Sequence, residues 1–376
     1  MLEQPPIWLI LIAFICALGP LVFFHELGHY LVGRWFGVGA EVFSIGFGRE
    51  IIGWNDSRGT RWKIGWLPLG GYVRFVGDMN PASAPALGGE DVPEELRASS
   101  FHHKPVWQRF LIVLAGPVAN FLLAILIIAA FFVTFGSPQS NVVGLVAPDS
   151  AAAGAGIQPG DRILSISGRE TETFNDVKNF VVIRPGQTVV LELQRGDTIL
   201  RASATIQKDV IADEFGQKYE RGLLGVSPSD TTLERVSVVE AVPLATIATA
   251  RLTGMMVEVV GQIVSGQRSP KELGGPLRIA QITGQKASLG SLEFVSLVAL
   301  LSINLGFINL LPVPLLDGGH LFFYAVEAVR RRPVSLQVQE WAFRGGLAAI
   351  LALVVFTTIN DLDSFGLWDR LERLIG

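Results

Sequence analysis

Residues 21–30 read Leu-Val-Phe-Phe-His-Glu-Leu-Gly-His-Tyr, and this stretch joins an apolar run to three chemically active side chains. The apolar run, 7–24, contains no charged residue and approaches the roughly 20 residues of helix that cross a bilayer. In a helix, His25 and His29 share one face at i and i+4, and Glu26 takes the next position around the turn. Because such groups are costly to bury beside a membrane span, the pattern predicts a metal site rather than a chance cluster.

Two imidazoles at this spacing are typical of zinc hydrolases. Two neutral nitrogens bind Zn²⁺, a third ligand comes from another element, and the open position takes a water molecule whose pKa the metal lowers towards about 7. Glu26 is then placed to accept the proton of that water. Cys16 is the single cysteine and lies in the apolar run, so neither a thiolate metal site nor an intrachain disulfide is expected.

The third ligand is predicted nearly three hundred residues later, in Leu316-Asp317-Gly318-Gly319-His320. Two prolines just before it break the preceding helix and allow an extended segment to approach the metal. We favour Asp317 because carboxylates at membrane depth usually have a function. Two alternatives remain open, in which Asp317 is only a helix N-cap or His320 is the ligand.

Two other polar sites lie in predicted spans. Asn309 is positioned to hydrogen-bond a substrate backbone or a developing oxyanion, although an asparagine in a span also serves as interhelical glue. The segment Gly116-Pro117-Val118-Ala119-Asn120 allows close helix approach and kinks the axis, and we interpret it as a packing feature.

The composition indicates a membrane protein. The chain has 376 residues, of which 49% are hydrophobic and 17% charged, which is more apolar than ordinary soluble domains. The net charge of −4 and the scattered basic residues predict no nucleic-acid partner. Four membrane spans are predicted, at 7–24, 110–135, 294–311 and 345–359.

The distribution of lysine and arginine predicts the orientation. Basic residues concentrate between the first and second spans and between the third and fourth, which places both segments in the cytoplasm. The long middle segment is then extracytoplasmic, and both termini lie on that same side.

The predicted fold is a polytopic α-helical membrane protein with a membrane-associated β-sheet and an inserted extracytoplasmic α+β domain. Alternating apolar and polar residues with glycines predict β-hairpins after the first span, and residues 80–95 are expected to form a mobile loop. Residues 236–264 are interpreted as an amphipathic or surface-lying helix, with a fifth span as the lesser alternative. The predicted segments are 1–36 (first span and metal motif), 37–106 (β-hairpins and cytoplasmic loop), 107–136 (second span), 137–228 (soluble domain), 229–290 (amphipathic helical segment), 291–344 (third span and Asp-Gly motif) and 345–376 (fourth span and tail).

Four motifs together resemble the site-2 protease family, and their order most resembles the bacterial regulator-of-sigma-E protease branch. They are His25-Glu26-Leu27-Gly28-His29, Pro68-Leu69-Gly70-Gly71-Tyr72, Ala115-Gly116-Pro117-Val118-Ala119-Asn120 and Leu316-Asp317-Gly318. The resemblance implies a zinc metalloendopeptidase of the bacterial inner membrane, with its active site near the cytoplasmic side. It implies substrates that are single-span membrane proteins, of the anti-sigma-factor or remnant-signal-peptide type, cut during regulated intramembrane proteolysis in stress responses.

Residue roles follow from the same resemblance. It makes His25, His29 and Asp317 zinc ligands, Glu26 the general base, and Asn309 a substrate-binding residue. The sheet predicted at 42–75 matches the family's membrane-associated sheet, which is thought to pair with an extended substrate.

The middle segment is similar to a PDZ domain. The similarity rests on Val142-Val143-Gly144-Leu145-Val146 and on Ala155-Gly156-Ile157-Gln158-Pro159-Gly160-Asp161-Arg162-Ile163-Leu164. It implies that Gly144, Leu145 and Val146 form an edge strand that receives peptide chain ends by β-augmentation. One such module is visible, whereas the best-described members of the branch carry two.

Two other classes of protein are weighed against the protease. In a non-catalytic membrane scaffold, a PDZ module would bind peptide tails and the metal site would be structural. A structural site needs four protein ligands and no general base, so the presence of Glu26 argues against this class. A transporter would show inverted repeats, and none is visible.

Overall fold

The computed structural model describes residues 5–77, 93–138, 140–212, 218–229 and 233–364. The predicted loop at 80–95 lies largely outside these ranges, as does the tail after residue 364. The helices are α1 (Ile7–Trp35), α2 (Glu94–Arg97), α3 (Val106–Phe135), α4 (Ala151–Gly154), α5 (Phe174–Val182), α6 (Val238–Val264), α7 (Pro276–Leu289), α8 (Ser291–Leu310), α9 (Asp317–Arg330) and α10 (Leu336–Ser364). The strands are β1 (Ala40–Asn55), β2 (Arg61–Phe75), β3 (Ser137–Pro138), β4 (Val143–Val146), β5 (Arg162–Ile166), β6 (Arg169–Glu170), β7 (Thr188–Arg195), β8 (Thr198–Thr205), β9 (Gln207–Ala212), β10 (Lys218–Leu223), β11 (Val226–Pro228) and β12 (Leu233–Glu234).

The chain divides into two compact units. The first comprises residues 1–128 and 274–361, and the second comprises 129–273 with the segment after residue 361. Five helices in the described part of the chain are long and apolar enough to cross a membrane: α1, α3, α6, α8 and α10. Four of them contain the predicted spans, and α6 has the lowest mean hydropathy of the five, 1.3.

In the first unit, α1 carries the metal motif far along its length. The helix has 29 residues and extends about 43 Å, so it is longer than the hydrocarbon core of about 30 Å. His25 lies 18 residues after Ile7, or about 27 Å along the helix axis. The motif therefore lies near the C-terminal end of a helix that is long enough to cross the hydrocarbon core.

Strands β1 and β2 form a sheet beside α1, which confirms the predicted β structure after the first span. Residues 42–45 of β1 pair with 71–74 of β2 and also with 61–64, so they lie between two parts of the same strand. Phe43 is fully buried, stacks on Trp62 and packs edge-on against Tyr30 of α1. This aromatic cluster fixes the sheet on α1. Segment 71–74 pairs on one side with β1 and with no further strand among the described residues, so it forms an edge of the sheet.

The second unit contains a small α+β domain that agrees with the predicted soluble segment. Four strands pair in the order β6-β5-β7-β8, and β4 pairs with β11. Its core includes Val143, Ile163, Leu191 and Ile206, each fully buried, and α5 adds Val177. Thr173 and Asp176 form a capping box that begins α5.

A buried ion pair also stabilises this domain. The Arg195 guanidinium donates two hydrogen bonds to the Asp161 carboxylate, at 2.7 and 2.8 Å, and Asp161 is fully buried. The hydrogen bonds from Arg195 hold the pKa of the Asp161 carboxyl below its ordinary value, so the carboxylate is charged at neutral pH.

Helix α6 packs on the same domain through its charged side chains. Arg251 donates to Asp176 at 2.7 Å and to Glu172 at 2.8 Å. Glu258 forms an ion pair with Arg184, whose side chain is 7% exposed. Arg251 and Glu258 of α6 are thus each paired with an oppositely charged residue of the α+β domain.

Candidate metal and catalytic centre

Two of the three predicted ligands come from one face of α1. The Nε2 atoms of His25 and His29 lie 3.3 Å apart, and His25 is 8% exposed. The spacing i and i+4 places the two rings on the same side of the helix, as predicted, and there they meet edge to face. Their nitrogens therefore converge on one point beside α1.

The third predicted ligand, Asp317, reaches that point from the start of α9. Helix α8 ends at Leu310, and the chain turns through Pro312 and Pro314 before α9 begins at Asp317. Leu315 has a φ of 85°, a left-handed conformation that costs an L-residue free energy and reverses the chain sharply. The turn places Asp317 Oδ2 3.1 Å from Nε2 of His25 and 3.5 Å from Nε2 of His29.

The spacing of these three atoms fits a zinc ion. Donors about 2.0–2.1 Å from a tetrahedral zinc lie about 3.3–3.4 Å from one another, close to the observed separations of 3.1, 3.3 and 3.5 Å. Asp317 Oδ2 is buried, and among the described residues its polar neighbours are the Nε2 atoms of His25 and His29, an arrangement that a cation held by all three atoms would stabilise. Within the described ranges, His25, His29 and Asp317 are the one group of three or more side chains that could hold a metal. A set of three ligands leaves the fourth zinc position for a reacting molecule.

Contacts behind the ligands orient both imidazoles. Nδ1 of His29 lies 2.9 Å from the carbonyl oxygen of Ile112 in α3. Donation to this carbonyl puts the proton on Nδ1 and leaves the Nε2 lone pair for the metal.

Asn120 contacts Nδ1 of His25 as the Ile112 carbonyl contacts Nδ1 of His29. The sequence analysis did not predict this role. Its side-chain amide lies 3.0 Å from Nδ1 of His25, and Asn120 is fully buried. The Oδ1 atom otherwise has no partner, and rotation of the amide by 180° lets it accept the Nδ1–H of His25. The segment 116–120 was interpreted as packing alone, although a buried asparagine in an apolar span was the available signal.

Glu26 lies next to the three ligands without joining them. Its carboxylate is within hydrogen-bonding reach of the backbone N–H of Val73, in the edge 71–74 of β2. A Cβ atom at Gly71 would lie 3.0 Å from Cγ of Glu26 and 2.7 Å from Cγ1 of Val22. Glycine at this position therefore lets the sheet edge approach the carboxylate closely.

A cavity of about 910 Å³ contains this centre. Its lining includes the three ligands, Glu26, Asn309 and the edge of β2. It continues along α9 past His320, Tyr324 and Glu327, with Arg109 of α3 opposite. Arg109 donates a hydrogen bond of 2.7 Å to Glu327 and lies over the ring of Tyr324, so the far end of the cavity is polar and internally paired.

Comparison with known proteins identifies the family. The model of peptidase family M50 matches residues 13–353. The chain belongs to peptidase family M50, the site-2 proteases. Its zinc metalloprotease activity and its Zn²⁺ cofactor follow from this membership together with its relatives.

This chain matches its relatives over nearly their whole length. The chain is 44% identical over 361 residues to an Agrobacterium fabrum protein provisionally named a zinc metalloprotease, covering 94% of this chain and 96% of the relative. It is 37% identical over 382 residues to Metalloprotease MmpA of Caulobacter vibrioides, covering 95% and 96%. Among solved structures, the PDZ domain of an SdrC-like protein from Listeria monocytogenes aligns with 24% of this chain and 90% of its own, at 20% identity and a TM-score of 0.19.

His320, the alternative candidate for the third ligand, lines the same cavity but is not part of the group formed by His25, His29 and Asp317. Its ring is 5.1 Å from that of Phe343 and 6.4 Å from that of Tyr324, and it does not belong to the metal-binding group. Burial lowers the pKa of the His320 imidazole, which is therefore neutral at pH 7. The geometry brings Asp317, and not His320, to the two ligands of α1.

The predicted peptide-binding residues of the PDZ-like domain lie in β4. Leu145 pairs with Ser227 and Val146 with Val226, both in β11, and Gly144 packs directly against Ser229. That side of β4 is therefore not an open edge, because β11 already occupies it. The pairing of β4 with β11 could not be read from the local pattern, because β11 comes about eighty residues later. The role of Gly144, Leu145 and Val146 in peptide binding stays a prediction.

Close contact between α1 and α3 gives a testable prediction for the centre. A Cβ atom at Gly116 would lie 2.2 Å from Nε2 of His29. We expect Gly116→Ala to displace the imidazole and to weaken zinc binding by about 10- to 100-fold, as changes just outside a metal's ligands do. Zinc retained after dialysis against graded chelator measures the loss.

The matched control is Gly19→Ala, because a Cβ atom there has no neighbour within 4 Å and alanine favours a helix. We expect Gly19→Ala to bind zinc like the wild type. Equal zinc affinity of the Gly116→Ala and Gly19→Ala proteins would contradict the contact.

Proposed function

We propose that the protein hydrolyses peptide bonds in transmembrane segments of single-span membrane proteins. The observation that carries the proposal is the position of Glu26, between the group His25, His29 and Asp317 and the open edge 71–74 of β2. A proton acceptor, a metal group and a strand edge together provide what peptide hydrolysis in a membrane requires. The test is zinc content measured together with cleavage of a single-span protein by the purified chain in vesicles.

In this proposal His25, His29 and Asp317 would hold the zinc, and the bound ion would supply Lewis acidity towards the scissile carbonyl and the attacking water. Glu26 accepts a proton from the attacking water and returns it to the leaving amine. Ile112 and Asn120 keep the two imidazoles in the tautomer that presents Nε2.

In this proposal the sheet edge binds the substrate in an extended rather than a helical conformation. A transmembrane helix hides its peptide bonds in internal hydrogen bonds and must unwind locally before it can be cut. Apart from the N–H of Val73, which lies within reach of Glu26, the outward backbone groups of 71–74 can pair with an unwound segment by β-augmentation. Asn309, which lines the same cavity, is proposed to hydrogen-bond the substrate backbone.

For the topology we propose four spans, with α6 outside the hydrocarbon core. The support is the pairing of Arg251 and Glu258 with charged residues of the PDZ-like domain, which a spanning helix would have to bring into lipid. The basic segments between spans support a cytoplasmic side for the active site and an extracytoplasmic side for the domain, in the inner membrane of a bacterium. Anti-sigma factors and remnant signal peptides are the proposed substrates, and peptide chain ends the proposed ligands of the domain.

The scaffold alternative is less favoured. A structural zinc site needs four protein ligands, whereas three converge in the described part of the chain and a carboxylate lies beside them. One exchangeable water on the metal would argue for catalysis, and a fourth protein ligand would argue for the scaffold.

The domain should act as a filter on substrates. We expect removal of residues 137–228 to leave about one zinc per chain, because all three ligands lie in the other compact unit. The range of proteins cut should change, with longer extracytoplasmic parts admitted. Cleavage of substrates that differ only in the size of this part measures the effect, and loss of zinc would contradict it.

A further inference from the structure

The turn between α9 and α10 carries three consecutive arginines. Arg330, Arg331 and Arg332 are exposed, and none forms an ion pair or a side-chain hydrogen bond with a residue that the structure describes. Arg331 has a φ of 54°, a left-handed conformation in which glycine would be less strained. The cations at this turn thus do not contribute to packing of the described fold.

The local charge is opposite to that of the whole chain. Residues 328–345 contain four arginines and one acidic residue, Glu340, whereas the chain as a whole has a net charge of −4. Glu340 pairs with the fourth arginine, Arg344. The positive charge of Arg330, Arg331 and Arg332 therefore remains uncompensated by any described neighbour.

Exposed large apolar side chains lie close to these arginines in sequence, on both sides of them. Val329 is 85% exposed and Trp341 is 73% exposed, and Leu336 and Val338 are also exposed. Helix α10 begins at Leu336 and is long and apolar enough to span a membrane, so the arginines immediately precede a candidate span. Tryptophan at this level and basic side chains next to apolar ones are typical of the headgroup region.

We propose that Arg330, Arg331 and Arg332 bind the phosphate groups of anionic phospholipids, while Val329 and Trp341 contact the acyl boundary. Charge complementarity selects anionic over zwitterionic lipid, and each basic residue near such a surface contributes about fivefold to binding. The apolar rim selects a lipid over a soluble anion or a nucleic acid.

The same turn forms a wall of the catalytic cavity. Residues 333–336, which follow the arginines directly, line the cavity, and Val334 is buried. The side-chain amide of Gln339 donates a hydrogen bond of 2.8 Å to the carbonyl oxygen of Val334. Lipid bound at the arginines would therefore lie next in sequence to the residues that line the cavity containing Glu26.

Native mass spectrometry of the full chain tests the proposal. The detergent-solubilised protein is mixed with equal amounts of phosphatidylglycerol and phosphatidylcholine of the same acyl length. We expect the wild type to retain phosphatidylglycerol preferentially, and R330Q/R331Q/R332Q to lose that preference, with binding weakened on the order of 100-fold. R330K/R331K/R332K is the matched control, because lysine keeps the charge, and it should keep the preference.

Three outcomes would overturn the proposal: equal retention of both lipids by the wild type, an unchanged preference in the glutamine variant, or complete displacement of phosphatidylglycerol by excess inorganic phosphate, which would indicate a free-anion site. Zinc content and cleavage of a single-span protein are recorded on the same samples. A chain that cleaves without lipid preference contradicts this proposal alone. A chain that prefers phosphatidylglycerol but does not cleave contradicts the proposed function alone.

Discussion

Glu26→Gln should retain about one zinc per chain and lose cleavage by about 100- to 10,000-fold, the contribution that a positioned acid–base group makes. The amide keeps the shape of the side chain and its reach to the N–H of Val73, but it cannot accept a proton. Because Glu26 does not belong to the metal-binding group, its substitution should leave the three ligands in place. Zinc analysis and cleavage of a single-span protein in vesicles measure both effects.

The control for this prediction is His25→Ala, which removes a ligand and should lose metal together with activity. Turnover near the wild-type rate in Glu26→Gln would show that another group accepts the proton. A His25→Ala protein that still held one zinc per chain would remove His25 from the ligand set.

The sequence was informative wherever the chemistry was local. His25, Glu26 and His29 lie within one helical turn and a half, so their common face follows from helix geometry alone. The spans that lie in α1, α3, α8 and α10 were predicted because long apolar runs are a strong signal. The soluble segment 137–228 was likewise predicted, and the structure places strand β7 and helix α5 within it.

The sequence was less informative where a contact depends on packing between distant elements. The sequence of α3 does not specify which of its faces meets α1, so the contact of Asn120 with His25 could not be predicted. Gly28 and Gly116 indicate that the two helices approach closely, but not in which register. Likewise, the local pattern could not reveal that β4 pairs with β11, because β11 comes about eighty residues later. Residues 42–45 pair with two parts of β2, a register that alternation of apolar residues cannot specify.

The choice of the third ligand also depended on distant packing, and it leads to the second large prediction. Asp317→Asn should weaken zinc binding by more than about 100-fold, beyond the cost of most changes outside the ligand set, and should abolish cleavage. An amide is neutral and a poorer zinc ligand than a carboxylate, and it replaces the one anionic donor of the group. Zinc affinity from chelator competition, with cleavage measured in parallel, gives both quantities.

His320→Ala is the comparison that separates the two candidates. The His320 ring contacts Phe343 and Tyr324 on the cavity wall rather than the nitrogens of His25 and His29, so its loss should leave zinc bound and activity at least partly retained. X-ray absorption provides the direct view of the metal's neighbours. Two imidazoles with oxygen donors in both the wild type and His320→Ala would support Asp317, since the carboxylate and its buried Oδ2 are present in both. Three imidazoles in the wild type that fall to two in His320→Ala would instead make His320 the ligand and leave Asp317 as the residue that begins α9.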